Sequence, residues 1–471
     1  MTQEEPNKES FRDHIATVDE KGKRIWVYPK KPKGKFTNYR TLVSILLLAM
    51  LFLGPFIRIG GEPLLMLNVL ERKFIILGNI FWPQDFHLFV FAMITGIVFI
   101  IFFTVVFGRL FCGWVCPQTI FMEMVFRKIE YAIEGDYKQQ IKLDKSPWTK
   151  EKLFKKTSKH IIFVLVSFLI GNTFLAYIIG TDELFKIATD PLDQHLGGFM
   201  AMIIFSGLFY GVFAKLREQV CTTICPYGRL QGVLLDRNSL IVAYDYTRGE
   251  GEKGRAKFRK NEVRSELGKG DCIDCGHCVH VCPTGIDIRN GTQLECVNCT
   301  ACMDACDYMM ESVNLKAGLI GYKSEESIAN GIQFKLTTRI ISYMVVLAIL
   351  IGIITTLLLS RTDVEATILR TTGMMYQRLE DNKVSNLYNY KVINKTNEEF
   401  EVTFKLEGKD GRIQMIGDLT HIESQGVFEG AMFIILDREV LEGVKTNVKI
   451  GVYDDDKLIE TVKTNFMGPA N

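Results

Sequence analysis

Five stretches of about 20 residues carry almost no charge: 41–58, 87–107, 160–180, 195–214 and 338–359. Each is long enough to cross a hydrocarbon core of about 30 Å as a helix. No other feature limits the possible folds so severely, because buried helices of soluble proteins rarely stay uncharged for that length. A sixth apolar stretch, 63–82, carries Glu71, Arg72 and Lys73 at its centre. Each such charge costs roughly 2.5–3.5 kcal/mol at a bilayer centre, so an interfacial or extramembrane element is expected there.

The basic residues orient the spans. The first 40 residues contain ten Lys or Arg, 108–159 eleven and 215–337 sixteen, whereas 181–194 contains one and 59–86 two. Lys and Arg gather on the cytoplasmic side, so the N-terminus is expected inside and the segment after 360 outside. Residues 1–40 lack an apolar stretch, so the first span is expected to serve as an uncleaved anchor. The net charge of +2 excludes nothing by itself, and no nucleic-acid partner is expected.

All twelve cysteines fall on the expected inner side, in four groups. Cys272-x2-Cys275-x2-Cys278-x3-Cys282-Pro283 precedes Cys296-x2-Cys299-x2-Cys302-x3-Cys306. This doubled spacing holds two cubane iron–sulfur clusters, each run lending its fourth thiolate to the other's cluster. Cluster I then takes Cys272, Cys275, Cys278 and Cys306; cluster II takes Cys296, Cys299, Cys302 and Cys282. Zinc knuckles also use C-x2-C spacing, but eight cysteines in two such runs speak against zinc. His277 and His280 are expected at the surface rather than as ligands.

The other four cysteines form a repeated Cys-x3-Cys-Pro unit, Cys112/Cys116/Pro117 and Cys221/Cys225/Pro226, each just after a span. Proline forces the preceding residue off helical angles and suits the first position of the next helix. Cys116 and Cys225 are therefore expected at helix N-termini, where the positive end lowers a thiol's pKa, with Arg109, Arg127 and Lys215 adding charge. Four soft thiolates suit Cu(I) and also dithiol–disulfide exchange. Met122 and Met124 could extend a copper path, although a membrane-facing helix is their expected home. Trp114 and Tyr227 could line an electron route, although interface anchoring explains them at least as well.

Residues 1–40 read as a basic, largely irregular cytoplasmic tail. Residues 41–237 read as a membrane domain in which a two-helix hairpin, a Cys-x3-Cys-Pro unit and an amphipathic surface helix (117–139, then 227–237) occur twice. Next come a linker (238–270), a ferredoxin-like domain (271–310), a second linker (311–337) and the last span (338–359). Residues 360–471 alternate in short β-rich runs, 387–393, 399–406, 430–437 and 446–453, separated by turn formers such as Asn394–Asn397 and Asp454–Asp456. The expected fold class is a multidomain integral membrane protein. It combines an α-helical bundle of about five transmembrane helices, a cytoplasmic bacterial-type 2[4Fe-4S] ferredoxin domain (α+β) and a C-terminal extracytoplasmic immunoglobulin-like β-sandwich.

FCGWVCPQT at 111–119, IEGD at 133–136, CTTICPYGRLQG at 221–232, YDYTRGE at 244–250, RIWVYP at 24–29 and the doubled cluster motif together resemble the cytochrome c oxidase accessory protein family (the FixG, RdxA and CcoG group). The resemblance implies a multi-pass protein of the bacterial inner membrane with two [4Fe-4S] clusters. It implies reduction of Cu(II) to Cu(I) for assembly of a cbb-type oxidase, with copper as substrate or transient ligand. Partners would be oxidase subunits or copper chaperones and a cytoplasmic or quinol electron donor; a homodimer is compatible. By carry-over, Cys112, Cys116, Cys221 and Cys225 are the copper-reducing thiols, and the eight cysteines from 272 to 306 the cluster ligands. Asp307 stands where proline is usual. A quinol-oxidising respiratory subunit and an oxidase-assembly scaffold are the competing readings.

Overall fold

The computed structural model describes residues 16–469 except 20, 22, 70–72, 83, 84, 192–194, 261, 265, 333, 334, 363, 374, 381, 397, 418–420, 425, 455 and 456. Glu71, Arg72, Asn397, Asp455 and Asp456, named above, lie outside the described residues. The chain divides into two compact units: 1–57, 63–71 and 89–353 form the first; 58–62, 72–88 and 354–471 form the second.

Among the described residues, five helices are long and apolar enough to cross a membrane, over 35–56, 86–107, 150–179, 196–216 and 338–359. In the first unit, the third and fourth of these pack closely, with Gly171 against Ser206, where an added Cβ would stand 3.1 Å from the serine hydroxyl. An aromatic core fills the space beside them. Phe126 stacks on Phe213 at 4.7 Å and meets Phe163 edge-on at 4.8 Å.

The segment 117–139 departs from the expected single surface helix. A helical turn at Pro117–Thr119 runs through a π-helical stretch, Ile120–Phe126, into Arg127–Ile133, and the chain then breaks at 134–136. Asp136 caps a new helix, Tyr137–Lys145, in a reciprocal capping box with Gln139. The charged face is not solvated either: Arg127, Glu130 and Glu134 are each under 5 % exposed. Burial is tolerated because every one of these charges finds an opposite one in the ionic cluster that includes Arg217 and Lys159.

Strands β1 (Ile241–Tyr244) and β2 (Ile320–Lys323) pair antiparallel, Ile241 opposite Lys323 and Tyr244 opposite Ile320. They flank both cysteine runs. The segments 238–270 and 311–337, expected to be linkers, thus supply the sheet that backs the clusters, and apolar residues such as Val242, Leu319 and Ile320 pack against the cysteines.

Among the described residues of 354–471, which belong to the second unit, nine strands make two sheets. One has the order β7 (Gly411–Ile416), β9 (Val427–Asp437), β5 (Lys383–Asn394), β3 (Val364–Arg370), with β4 (Gln377–Arg378) also on β5. The other runs β8 (His421–Ile422), β6 (Phe400–Glu407), β10 (Lys445–Asp454), β11 (Lys457–Met467). Alternate residues turn inward, so Tyr388, Met432, Ile434, Ile450, Val452 and Phe466 are fully buried together. The Tyr388 hydroxyl donates to the Asn465 carbonyl at 2.9 Å and ties one sheet to the other. His421 lies exposed at this unit's surface, 3.4 Å from Glu399.

Candidate redox site

The two cysteine runs fold as a local repeat. Asp274 and Gly276 in the first, and Asn298 and Thr300 at the same offsets in the second, take left-handed backbone angles. Asp, Asn and Gly tolerate that conformation, whereas β-branched Thr300 is strained there. The turns bring the thiols into two groups. Cys272, Cys275, Cys278 and Cys306 line one hollow, walled by Tyr244, Met310 and Leu319. Cys282, Cys296, Cys299 and Cys302 line another with Val242, Ile286 and Ile288, and Cys278 borders both. Four thiols around an apolar hollow fit an iron–sulfur cubane, which asks for soft anionic ligands and low solvent access. His280 is exposed and His277 half-buried, and neither lines either of these two hollows. Asp307 accepts from the Gly318 amide at 2.7 Å, steering the chain back toward β2 where a proline would have only stiffened it.

Each Cys-x3-Cys-Pro unit ends as its proline requires. Cys116 and Cys225 have extended ψ of 123° and 114° and cap the helices that begin at Pro117 and Pro226. The amide of Cys116 donates to the Phe111 carbonyl and that of Cys225 to Val220, the same five-residue reach in both. π-Helical turns adjoin both units, at Ile120–Phe126, Val212–Leu216 and Val220–Ile224. Such turns recur at functional sites.

The four thiols share one neighbourhood. Cys112 Sγ donates to Gln231 Oε1 at 3.4 Å, and Gln231 is fully buried on Pro226–Leu234, the helix that Cys225 caps. Burial pushes the Cys112 thiol up to about 11, Cys116 and Cys225 adding to the rise while Gln231 and Arg109 oppose it. Burial likewise pushes Cys221 up to about 12, reinforced by Cys116 and Cys112. At the first cysteine of each pair, which the helix-terminus expectation did not concern, desolvation outweighs the favourable contacts.

The thiol units are fastened directly to the second cluster cavity. A Cβ on Gly113 would stand 2.5 Å from the Val297 carbonyl and 2.6 Å from that of Asn298. Arg109, 4 % exposed, donates to the carbonyls of Leu294 and Gly228 and, at 3.4 Å, of Cys296. It thus joins the cysteine loop to the helix after Cys225. Cys221 opens on a small cavity shared with Thr119, Met122, Glu123, Glu218, Pro283, Thr284 and Val297. Met122 accordingly stands beside a thiol as well as in the aromatic core, whereas the Met124 sulfur meets Thr41 Oγ1 at 3.9 Å. Trp114 Nε1 donates to the Tyr322 hydroxyl on β2 at 3.1 Å, and the Tyr227 hydroxyl meets Thr104 at 3.0 Å.

Arg127 and Lys215 do not serve the thiols as expected. Arg127 pairs with Glu123 at 2.8 Å and Glu218 at 3.7 Å, and the Lys215 carbonyl accepts from Arg24. Arg127 belongs to a buried ionic cluster, whereas the Lys215 side chain is exposed. Arg217 grips Glu130 with two bonds of 2.8 Å, Lys159 meets Glu134 at 2.9 Å, Lys156 reaches Glu134 and Asp144, and Arg24 meets Glu218 at 2.6 Å. The N-terminal segment is part of it. Trp26 lies between the guanidinium groups of Arg24 and Arg217, at 4.2 and 4.8 Å, and the Tyr28 hydroxyl donates to Asp144. Residues 24–34 are irregular, as expected, but pinned. The amide of Lys30 donates to the His280 carbonyl, and the Asp304 carboxylate accepts from the amides of Phe36 and Thr37.

Gln231, Gly113, Asn298 and Glu218 carry no signal in the linear sequence beyond their nearness to a cysteine motif. Their roles arise from contacts between segments about 60 to 190 residues apart.

Apolar helices, duplicated cysteine turns and two four-thiol hollows define a membrane-bound iron–sulfur electron-transfer protein. Comparison with known proteins agrees. The "4Fe-4S binding domain" family matches residues 89–133, the "4Fe-4S dicluster domain" family 216–325, and the "IG-like fold at C-terminal of FixG" family 354–469. Protein RdxA of Cereibacter sphaeroides is 30% identical over 82% of this chain and 83% of its own length; Protein RdxB of the same organism is 31% identical over 80% of each. Nitrogen fixation protein FixG of Rhizobium meliloti is 36% identical over 64% of this chain, which spans 57% of that relative. The chain belongs to the FixG/RdxA family.

Proposed function

We propose that this protein reduces Cu(II) to Cu(I) for assembly of a cbb-type oxidase. Cys112, Cys116, Cys221 and Cys225 would act as the reducing thiols and transient copper ligands. The eight cysteines from 272 to 306 would hold two [4Fe-4S] clusters, whose chemistry is the storage and passage of single electrons. The observation that carries the reading is the shared wall: Cys221 faces Pro283, Thr284 and Val297, neighbours of Cys282 and Cys296, in one small cavity. In the reaction, two thiols give one electron each to two Cu(II), lose two protons and join as a disulfide. Two electrons from the cluster side and two protons restore them. Soft sulfur ligands hold Cu(I) better than Cu(II), which favours the forward step. Among the described residues, no three His, Cys, Asp or Glu side chains are grouped to hold a single ion; two-thiolate coordination suffices for Cu(I) as transient cargo.

The proposed setting is the bacterial inner membrane, with N-terminus and cysteines cytoplasmic and the immunoglobulin-like domain periplasmic. The distribution of Lys and Arg supports it. One observation favours the quinol-oxidising alternative: a groove along the third span, lined by Trp148, Leu153, His160, Ile161 and Val164, with His160 hydrogen-bonded to Tyr210 at 2.9 Å.

The test is anaerobic addition of Cu(II) to the reduced protein, with Cu(I) followed by a chromogenic chelator. Cys112→Ala/Cys221→Ala is expected to lose at least about tenfold in rate, or roughly 1.4 kcal/mol of barrier, with iron content unchanged. Undiminished reduction would remove the thiols from the mechanism and leave the quinol alternative.

A further inference from the structure

We infer that electrons enter at cluster I from an acidic one-electron carrier protein that docks on the basic loop 253–260. Such docking rests on the electron-transfer reading above and does not depend on copper.

The two cavities are not equivalent in their surroundings. The second is walled in by the thiol units, through Gly113 and Arg109. The first has an open side, for Cys275 is exposed, unlike every other cysteine of the chain. A route toward the Cys-x3-Cys-Pro thiols therefore leaves through the second cavity and is entered through the first.

Beside that open side lies a cationic loop. Residues 251–270 contain seven Lys or Arg and three Glu. Three of the cations are neutralised locally: Arg255 by Glu250 at 3.4 Å, and Arg264 and Lys269 by Glu262 at 2.8 and 2.6 Å. Lys253, Lys257, Arg259 and Lys260 are exposed and, among the described residues, not ion-paired. The remaining carboxylates, Glu252 and Glu266, are exposed as well, so the loop keeps a positive excess. Asp274, next to Cys275, is neutralised by Arg289 at 2.6 Å.

The loop is clamped to the ligand backbone. Arg264, 5 % exposed, donates to the carbonyls of Ala256 at 2.9 Å, Gly270 at 2.8 Å and Cys272 at 3.0 Å. Exposed apolar side chains stand among the charges: Phe258 is 39% exposed and Val263 55%. Apolar contacts rimmed by charge of one sign are the make-up of a transient docking face, and the sign selects an acidic partner and speeds its approach. In the step, the carrier is oxidised by one electron and the cluster reduced by one, with no bond made and no proton moved.

The experiment mixes the full-length holoprotein, in neutral-lipid nanodiscs, with chemically reduced plant-type ferredoxin, an acidic one-electron donor, in a stopped-flow spectrometer. The wild-type second-order rate is expected to fall at least about tenfold as ionic strength rises from about 0.01 to 0.3 M, since steered association is screened. Lys253→Glu/Lys257→Glu/Arg259→Glu/Lys260→Glu is expected to be about tenfold slower at low salt, while reduction by the methyl viologen radical, a small reductant that needs no docking, keeps its rate within about twofold. A salt-independent wild-type rate overturns the proposal without any variant. A variant as fast as wild type with ferredoxin also overturns it; if, in addition, only wild type binds anionic-lipid vesicles, the loop serves a membrane surface instead. Since the readout is cluster absorbance, failure here is distinct from failure of copper reduction.

Discussion

Gly113 illustrates how much a single side chain matters where two elements touch backbone to backbone. It sits between Cys112 and the carbonyls of Val297 and Asn298, with no room for a methyl group. Overpacking of this kind costs typically 1–3 kcal/mol, and here the parts that must yield hold the second cluster cavity. Gly113→Ala is expected to lower the spin count of one cluster in quantitative EPR and leave the other intact. Equal loss of both would mean that the substitution acts on folding as a whole. Arg109 works in the same place by hydrogen bonding. It donates to carbonyls of the loop around Cys296 and to the buried carbonyl of Gly228, which needs a donor. From the sequence Arg109 was legible only as a charge near the thiols, not as a donor to distant carbonyls, and Gly113 not at all, because a glycine there reads equally well as a turn former.

At the scale of elements, the helix Arg127–Ile133 is held by charge as well as by the packing of Ile129 on the aromatic core. Burial would raise the Glu130 carboxyl, but Arg217, Lys159 and Arg127 overrule it and hold it below the usual carboxylate range. Asp144 behaves alike: its burial is overcome by Lys156 and by the Tyr28 hydroxyl. A carboxyl whose folded pKa is depressed adds stability above its unfolded value, about 4.3 for Glu, and the gain is lost as pH falls through the folded value. Thermal stability of the purified protein is therefore expected to be flat near neutrality and to drop below about pH 4. Glu130→Gln strands the Arg217 guanidinium and is expected to cost roughly 3 kcal/mol at pH 7, with a shallower acid transition. A variant that melts like wild type would show that solvent reaches the cluster. The amphipathic pattern of 117–139 was legible as a helix with a charged face, but periodicity alone cannot tell water from an opposing set of charges.

At the scale of the whole molecule, the proposed orientation is open to a direct check. Alkaline phosphatase, active only outside the cytoplasm, is expected to work when fused after residue 469 and to be inactive when fused after residue 332. The reverse pattern would overturn the cytoplasmic assignment of the cysteines. The immunoglobulin-like unit was legible as separate from the rest, because its alternating runs match β5, β6, β9 and β10 within a few residues. Its sheet order was not, since strands neighbouring in space, such as β6 and β10, are far apart in sequence.

The features that the amino-acid order alone determined are those whose signal is local. These are the spans, marked by runs without charge; the two cysteine runs, marked by spacing; and the caps at Cys116 and Cys225, imposed by the next proline. Tertiary structure decided everything that needs two distant segments at once. It set Cys112 against Gln231, Cys221 opposite Pro283, Glu130 in the grip of Arg217 and the basic loop against Cys272. The reason is physical: spacing and hydropathy act over a few bonds, whereas desolvation and charge pairing depend on whichever atoms folding brings within about 4 Å.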